Sequence, residues 1–118
     1  MRKEIDLGGS TLTLVCNAAT PWIAKRLFKC DFMTFMTEMD DKTADEKIER
    51  LEQLVYTMAL QARMTTTDAL NASGADLIEW VSTFDIGVMT TVILSEAISL
   101  WSENCLTSSN PKNQDAPQ

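Results

Sequence analysis

Apolar and polar residues alternate along the first seventeen positions. Ile5 and Leu7 alternate with Glu4 and Asp6, and Leu12, Leu14 and Cys16 alternate with Thr11 and Thr13. A period of two is the mark of a half-buried β-strand. Gly8-Gly9 lies between the two runs and can supply a turn that needs positive φ, so residues 1–17 read as a β-hairpin. A two-residue loop there sets Leu7 opposite Ser10, Ile5 opposite Leu12, and Glu4 opposite Thr13. One face is then apolar. A hairpin alone is marginal in water, so that face must rest on helices.

From residue 20 the period becomes helical. Thr20 reads as an N-cap with Pro21 at the first helical position, and a short helix follows through Trp22, Ile23, Leu27 and Phe28. A second helix begins at Asp31, where Phe32, Phe35, Met36 and Met39 recur at i, i+3, i+4 and i+7 as a single apolar stripe. Asp40-Asp41-Lys42 is a polar break. Thr43-Ala44-Asp45-Glu46 fits a capping box. The helix it opens carries Ile48, Leu51, Val55, Met58 and Ala62 at steps of three and four, with Glu46 and Arg50 spaced as an ion pair. Thr65-Thr66-Thr67 lowers helix propensity, because β-branched residues crowd the preceding turn. Asn71 to Gly74 reads as a loop. Ser73 restarts a helix through Leu77, Ile78, Val81 and Phe84. Asp85 is placed to cap a last helix through Val88, Met89, Val92, Ile93, Ala97, Leu100 and Trp101, ending near Asn104 and about 30 Å long if unbroken.

The pattern predicts a mainly α (α+β) fold: an N-terminal β-hairpin packed on a bundle of four to five helices, in one domain over 1–106. Residues 107–118 hold no apolar side chain except Ala116. Such a segment cannot bury enough surface to offset its ordering entropy, and it is expected to be a disordered polar tail.

Composition narrows the function. The chain has 118 residues, 45% hydrophobic and 23% charged, which suits one globular domain with a modest core. The net charge of −7 argues against general nucleic-acid binding and against attachment to an anionic membrane, both of which need a basic face. Charge is unevenly placed, however, and Lys25, Arg26 and Lys29 cluster on the first helix. There is no histidine, which removes histidine bases, the usual triads and most zinc sites. Cys16, Cys30 and Cys105 are odd in number and widely spaced, so they read as buried thiols in a reducing, cytoplasmic compartment. No apolar stretch follows Arg2-Lys3, so no signal peptide is expected. Residues 86–101 are too short and too polar to span a bilayer.

Candidate chemistry is sparse. Glu49 with Glu52, and Asp40 with Asp41, lie in charge-mixed surroundings without the apolar pocket that tunes a catalytic carboxylate. Asp40-Asp41 lacks the glycine and closing glutamate of a calcium loop. Gly8-Gly9 lacks the Walker spacing. Lys29 is adjacent to Cys30, which turns the two side chains apart on a helix. No catalytic, cofactor or metal residue is expected. Methionine is the positive signal: Met33, Met36 and Met39 sit beside Phe32 and Phe35. Methionine suits surfaces that re-pack around varied apolar partners. Phe32, Met33, Phe35, Met36 and Met39 are therefore the partner-binding candidates, with plain core as the competing reading. Met33 separates the two, because it falls off the stripe that carries Met36.

The order of these features carries a resemblance. Ile5-Asp6-Leu7-Gly8-Gly9 lies in a hairpin, followed by Arg26-Leu27-Phe28-Lys29-Cys30-Asp31-Phe32 and a charged-then-apolar helix from Ile48 to Arg63. Asp76-Leu77-Ile78-Glu79-Trp80 opens the last part. Ile98-Ser99-Leu100-Trp101-Ser102-Glu103-Asn104, then Thr107-Ser108 and a Pro-Lys tail, close it. This layout resembles the tail assembly chaperones of long-tailed bacteriophages of Gram-positive bacteria, with Lys29-Cys30 standing where that family usually has glycine. The resemblance implies a non-enzymatic protein of the host cytoplasm that coats the tape measure protein before the tail tube forms. It also implies a longer product made by ribosomal frameshifting near the end of this frame, through which tail tube protein could be met. Self-association is open. The alternative, from a different class, is a small acidic regulatory inhibitor or adaptor that occupies a basic site on a partner.

Overall fold

The computed structural model describes residues 1–109, with side chains through Cys105. Strands β1 (Arg2–Asp6) and β2 (Thr11–Val15) form the antiparallel hairpin, with Ile5 facing Leu12 and Glu4 facing Thr13. Leu7 donates its amide to the Ser10 carbonyl at 2.9 Å, so the register is the expected one. Gly8 turns the chain at φ 93°, where a Cβ would be strained, and its amide donates to Asp6 Oδ1 at 2.9 Å. Ile5, Leu14 and Cys16 are buried against the helices, and Lys3 pairs with Glu96 across the gap at 3.4 Å.

Six helices follow. They are α1 (Thr20–Phe28), α2 (Phe32–Thr37), α3 (Ala44–Arg63), α4 (Thr66–Leu70), α5 (Leu77–Val81), and a rod made of α6 (Ile86–Val88), a π turn (Met89–Ile93) and α7 (Leu94–Ser109). The fold is thus mainly helical with an N-terminal hairpin, as the pattern predicts. Short 3₁₀ turns at Met39–Asp41 and Gly74–Asp76 join their neighbours. The predicted domain limit at 106 falls inside α7, which runs on to Ser109. The remainder of the expected tail, 110–118, lies outside the described residues.

Several local expectations are corrected. Thr20 does not cap α1. Its hydroxyl is buried, accepts from the Asn17 amide at 2.9 Å and donates to Gln61 Oε1 at 2.7 Å, pinning the start of α1 to α3. The three threonines at 65–67 do not keep that stretch from helix: Thr65 caps α4 by accepting from the Asp68 amide at 3.1 Å. Asp85 makes no side-chain cap, and the last helix is not a plain α-helix. Among the described residues Glu46 and Arg50 form no ion pair, and Arg50 donates instead to Gln53 Oε1 at 2.9 Å. The helix read as ending near Phe84 stops at Val81, and α5 and the last rod meet at a bend of 116°.

The core is built around α3. From Leu51 to Leu60 every residue but Glu52 is buried, so this helix is surrounded rather than one-sided. The expected stripe of Leu51, Val55 and Met58 is inside, and Leu54, Tyr56, Ala59 and Leu60 are inside with it. The buried Thr57 hydroxyl is satisfied within the helix, donating to the Gln53 carbonyl at 2.9 Å. Four rings form a ladder of edge-on contacts, Phe28–Tyr56–Trp80–Phe84, with centroids 6.1, 5.5 and 5.0 Å apart. Gly74 lets the chain pass close to α1: a Cβ there would stand 2.7 Å from Phe28 Cε1 and 3.2 Å from the Leu27 carbonyl oxygen.

Candidate apolar docking groove

The loop from α1 to α2 aims the candidate residues. Lys29 closes α1 in the left-handed conformation, φ 57° and ψ 35°, and its amide donates to the Lys25 carbonyl at 2.8 Å. The backbone therefore makes a glycine-type turn with a lysine in it. Asp31 then caps α2, accepting from the Thr34 amide at 3.2 Å and the Thr34 hydroxyl at 2.9 Å. These bonds hold the Asp31 carboxyl below the usual carboxylate range, with Lys25 a smaller contributor.

Starting from this cap, α2 divides the five candidates. Phe32 and Phe35 point inward and are buried, with their rings edge-on at 6.0 Å. They form part of the core. Met33 lies on the opposite side and is 54% exposed. Met36 and Met39 are half-buried at the rim of the core.

The three methionines line a groove between α2 and α7. Its wall is Met33, Met36 and Met39 on one side and Ile98, Trp101 and Cys105 on the other, around a volume of about 520 Å³. A second hollow of about 240 Å³ continues from Met33 past Pro21 to Cys16 and Trp101. A third, of about 220 Å³, continues from Met33 to Trp22 and Lys25 on α1. Met33 is common to all three, so the hollows cluster around its side chain. Trp22 borders one of them at 75% exposure, whereas Trp101 is buried and lines the other two.

Sequence reasoning missed Trp22, Ile98, Trp101 and Cys105 as groove residues. They come from α1 and α7, and no helical period links them to Met33. The one legible hint was the exposed phase of Trp22, three residues before Lys25 on a short helix.

Burial pushes the Cys16 thiol above its usual range, against the smaller opposing effects of its Thr20 hydrogen bond and the Met1 ammonium. Burial likewise raises Cys30, opposed by Arg50. Protonated thiols are weak nucleophiles. Among the described residues no group of three or more Cys, Asp or Glu side chains is placed to hold a metal ion. No single described helix is long and apolar enough to cross a membrane. Comparison with protein-family models, with curated proteins and with solved structures finds no match to this chain.

Proposed function

We propose that this chain is a non-enzymatic tail assembly chaperone of a long-tailed bacteriophage. It binds and solubilises the tape measure protein in the host cytoplasm while the tail is built. The observation that carries the reading is the apolar groove between α2 and α7, whose residue Met33 also lines the two hollows beside it. A tape measure protein is a long helical client whose apolar stripe needs cover until the tube closes around it. A thioether-lined groove suits that task, because methionine adapts to many apolar shapes with little rotamer strain. The order of hairpin, helices and ending supports the same reading through the family resemblance.

The test is co-expression with the products of neighbouring genes, followed by pull-down. Wild-type protein is expected to retain a long, helix-rich client, and Met33→Asp to lose it while keeping its melting temperature within a few degrees. Retention of the client by Met33→Asp would overturn the groove as the site. Raising the salt also discriminates. Apolar binding persists, whereas an acidic inhibitor seated on a basic partner is released. The longer product is tested in the gene: codons for Pro111-Lys112-Asn113, which lie outside the described residues, should form an adenine-rich slip run with an overlapping frame behind it.

A further inference from the structure

We infer that the groove takes an amphipathic client helix whose apolar stripe ends in carboxylates, and that those carboxylates seat on the exposed face of α1. This rests on the groove reading above and adds the chemistry of the partner. Trp22, Lys25 and Arg26 fall at i, i+3 and i+4, so they share one face of α1, and all three are exposed. In a chain of net charge −7 this is a local pair of cations. Among the described residues neither cation forms an ion pair; the pairs present are Lys3 with Glu96 and Lys42 with Glu38. Lys25 feels the nearby Asp31, but that carboxylate is already held by Thr34.

Lys25 adjoins the apolar surface directly, and Arg26 follows it on the same face of α1. Lys25 and Trp22 border the same hollow as Met33, and Met33 also lines the groove with Met36 and Met39. A client lying along the methionines thus runs from an apolar floor onto a cationic shelf. Carboxylates there gain charge complementarity, and a helix that points its C-terminus at the shelf adds its own dipole. The shelf has an aromatic ring and could stack a nucleotide. The other end of the groove, however, is the Met39–Asp41 turn, with Asp40 and Asp41 exposed, and it repels a polyanion that tries to follow the floor. A peptide with carboxylates at one end alone fits both ends.

The experiment uses two fluorescein-labelled amphipathic peptides of about five helical turns. They share one Leu/Ile stripe and differ only in ending with Glu or with Lys. Fluorescence anisotropy is read against wild type, Lys25→Glu/Arg26→Glu, and Met33→Asp, each checked for a native circular dichroism spectrum. The Glu-ended peptide should bind wild type and lose about tenfold in affinity to the charge-reversed protein, with the Lys-ended peptide gaining there. Both peptides should be lost by Met33→Asp. If Met33→Asp abolishes binding but the charge reversal changes nothing, the groove stands and the inference about α1 falls. If neither peptide binds wild type, both fall. Binding of a labelled oligothymidine that matches the Glu-ended peptide and vanishes on charge reversal would assign the shelf to nucleic acid and overturn the proposal.

Discussion

Helices α3 and α2 carry apolar residues at the same spacing and put them to different uses. Between Leu51 and Leu60, α3 has neighbours on every side, and even Gln53 and Thr57 are taken inside. Helix α2 has a neighbour on one side only. It commits Phe32 and Phe35 to the core and leaves Met33 to solvent. The chemistry follows the environment. The enclosed helix fills its surroundings mostly with branched and aromatic side chains, with Met58 as a buried thioether, whereas the outward side of α2 presents thioethers that can adapt. Period alone shows that a helix has an apolar face. How many neighbours it has depends on the rest of the fold.

The largest effects should come from the inward positions, where the two helices ought to behave alike. Phe32→Ala and Leu54→Ala each remove a fully buried side chain and should cost about 3–5 kcal/mol in equilibrium denaturation. A loss under about 1 kcal/mol for Phe32→Ala would break the comparison, because α2 would then not be anchored in the core.

Crowding around α3 extends through Tyr56 to Phe28 and so to Gly74. Gly74→Ala should cost about 1–3 kcal/mol by overpacking, since its new methyl meets the Phe28 ring and the Leu27 carbonyl. Unchanged stability would mean that α1 and the Gly74 turn can part without loss.

On the α2 side the expected change is a gain. Lys29 sits in a left-handed conformation that costs a residue with a Cβ about 1 kcal/mol, so Lys29→Gly should stabilise by about 0.5–1 kcal/mol. Thermal denaturation reads the gain, and an unchanged or lowered melting temperature would mean that the turn holds no such strain.

The smallest effect concerns charge on α3 itself. Burial raises Glu52 above the usual glutamate range, with Glu49 adding to the rise. A carboxyl whose folded value exceeds its unfolded value binds more protons when folded. It therefore destabilises at neutral pH, and this is relieved as the pH falls through the folded value towards the unfolded one. Glu52→Gln should give a slightly higher melting temperature at neutral pH, with the advantage shrinking in mild acid. An equal difference at both pH values would rule out the carboxyl's titration as the cause.

Much of this contrast is legible in the amino-acid sequence. Strict alternation around Gly8-Gly9 fixed the hairpin register, and Asp31 and Thr43 announced two helix starts. Met33 stood off its stripe and pointed to an exposed site. Other features were hidden for identifiable reasons. Thr65 could cap a helix as readily as its neighbours could discourage one, and capping prevailed. Thr57 looked polar, but its hydroxyl bonds within its own helix and so is inexpensive to bury. The groove's far wall, Ile98, Trp101 and Cys105, lies more than sixty residues from Met33 in sequence, and only packing brings the two together.

The π turn at Met89–Ile93 bears on how this chain can change length. A π turn holds one more residue than an α turn, and here the Thr90 and Thr91 hydroxyls bond back to the Ile86 and Gly87 carbonyls beside it. Losing one residue from this stretch would convert it to ordinary helix and leave α7 presenting Ile98, Trp101 and Cys105 on the same side. The same loss inside α3 would swing every later side chain by about 100° and scramble the core. Loss of a single residue should thus be forgiven at one turn of the last rod and refused by the central helix.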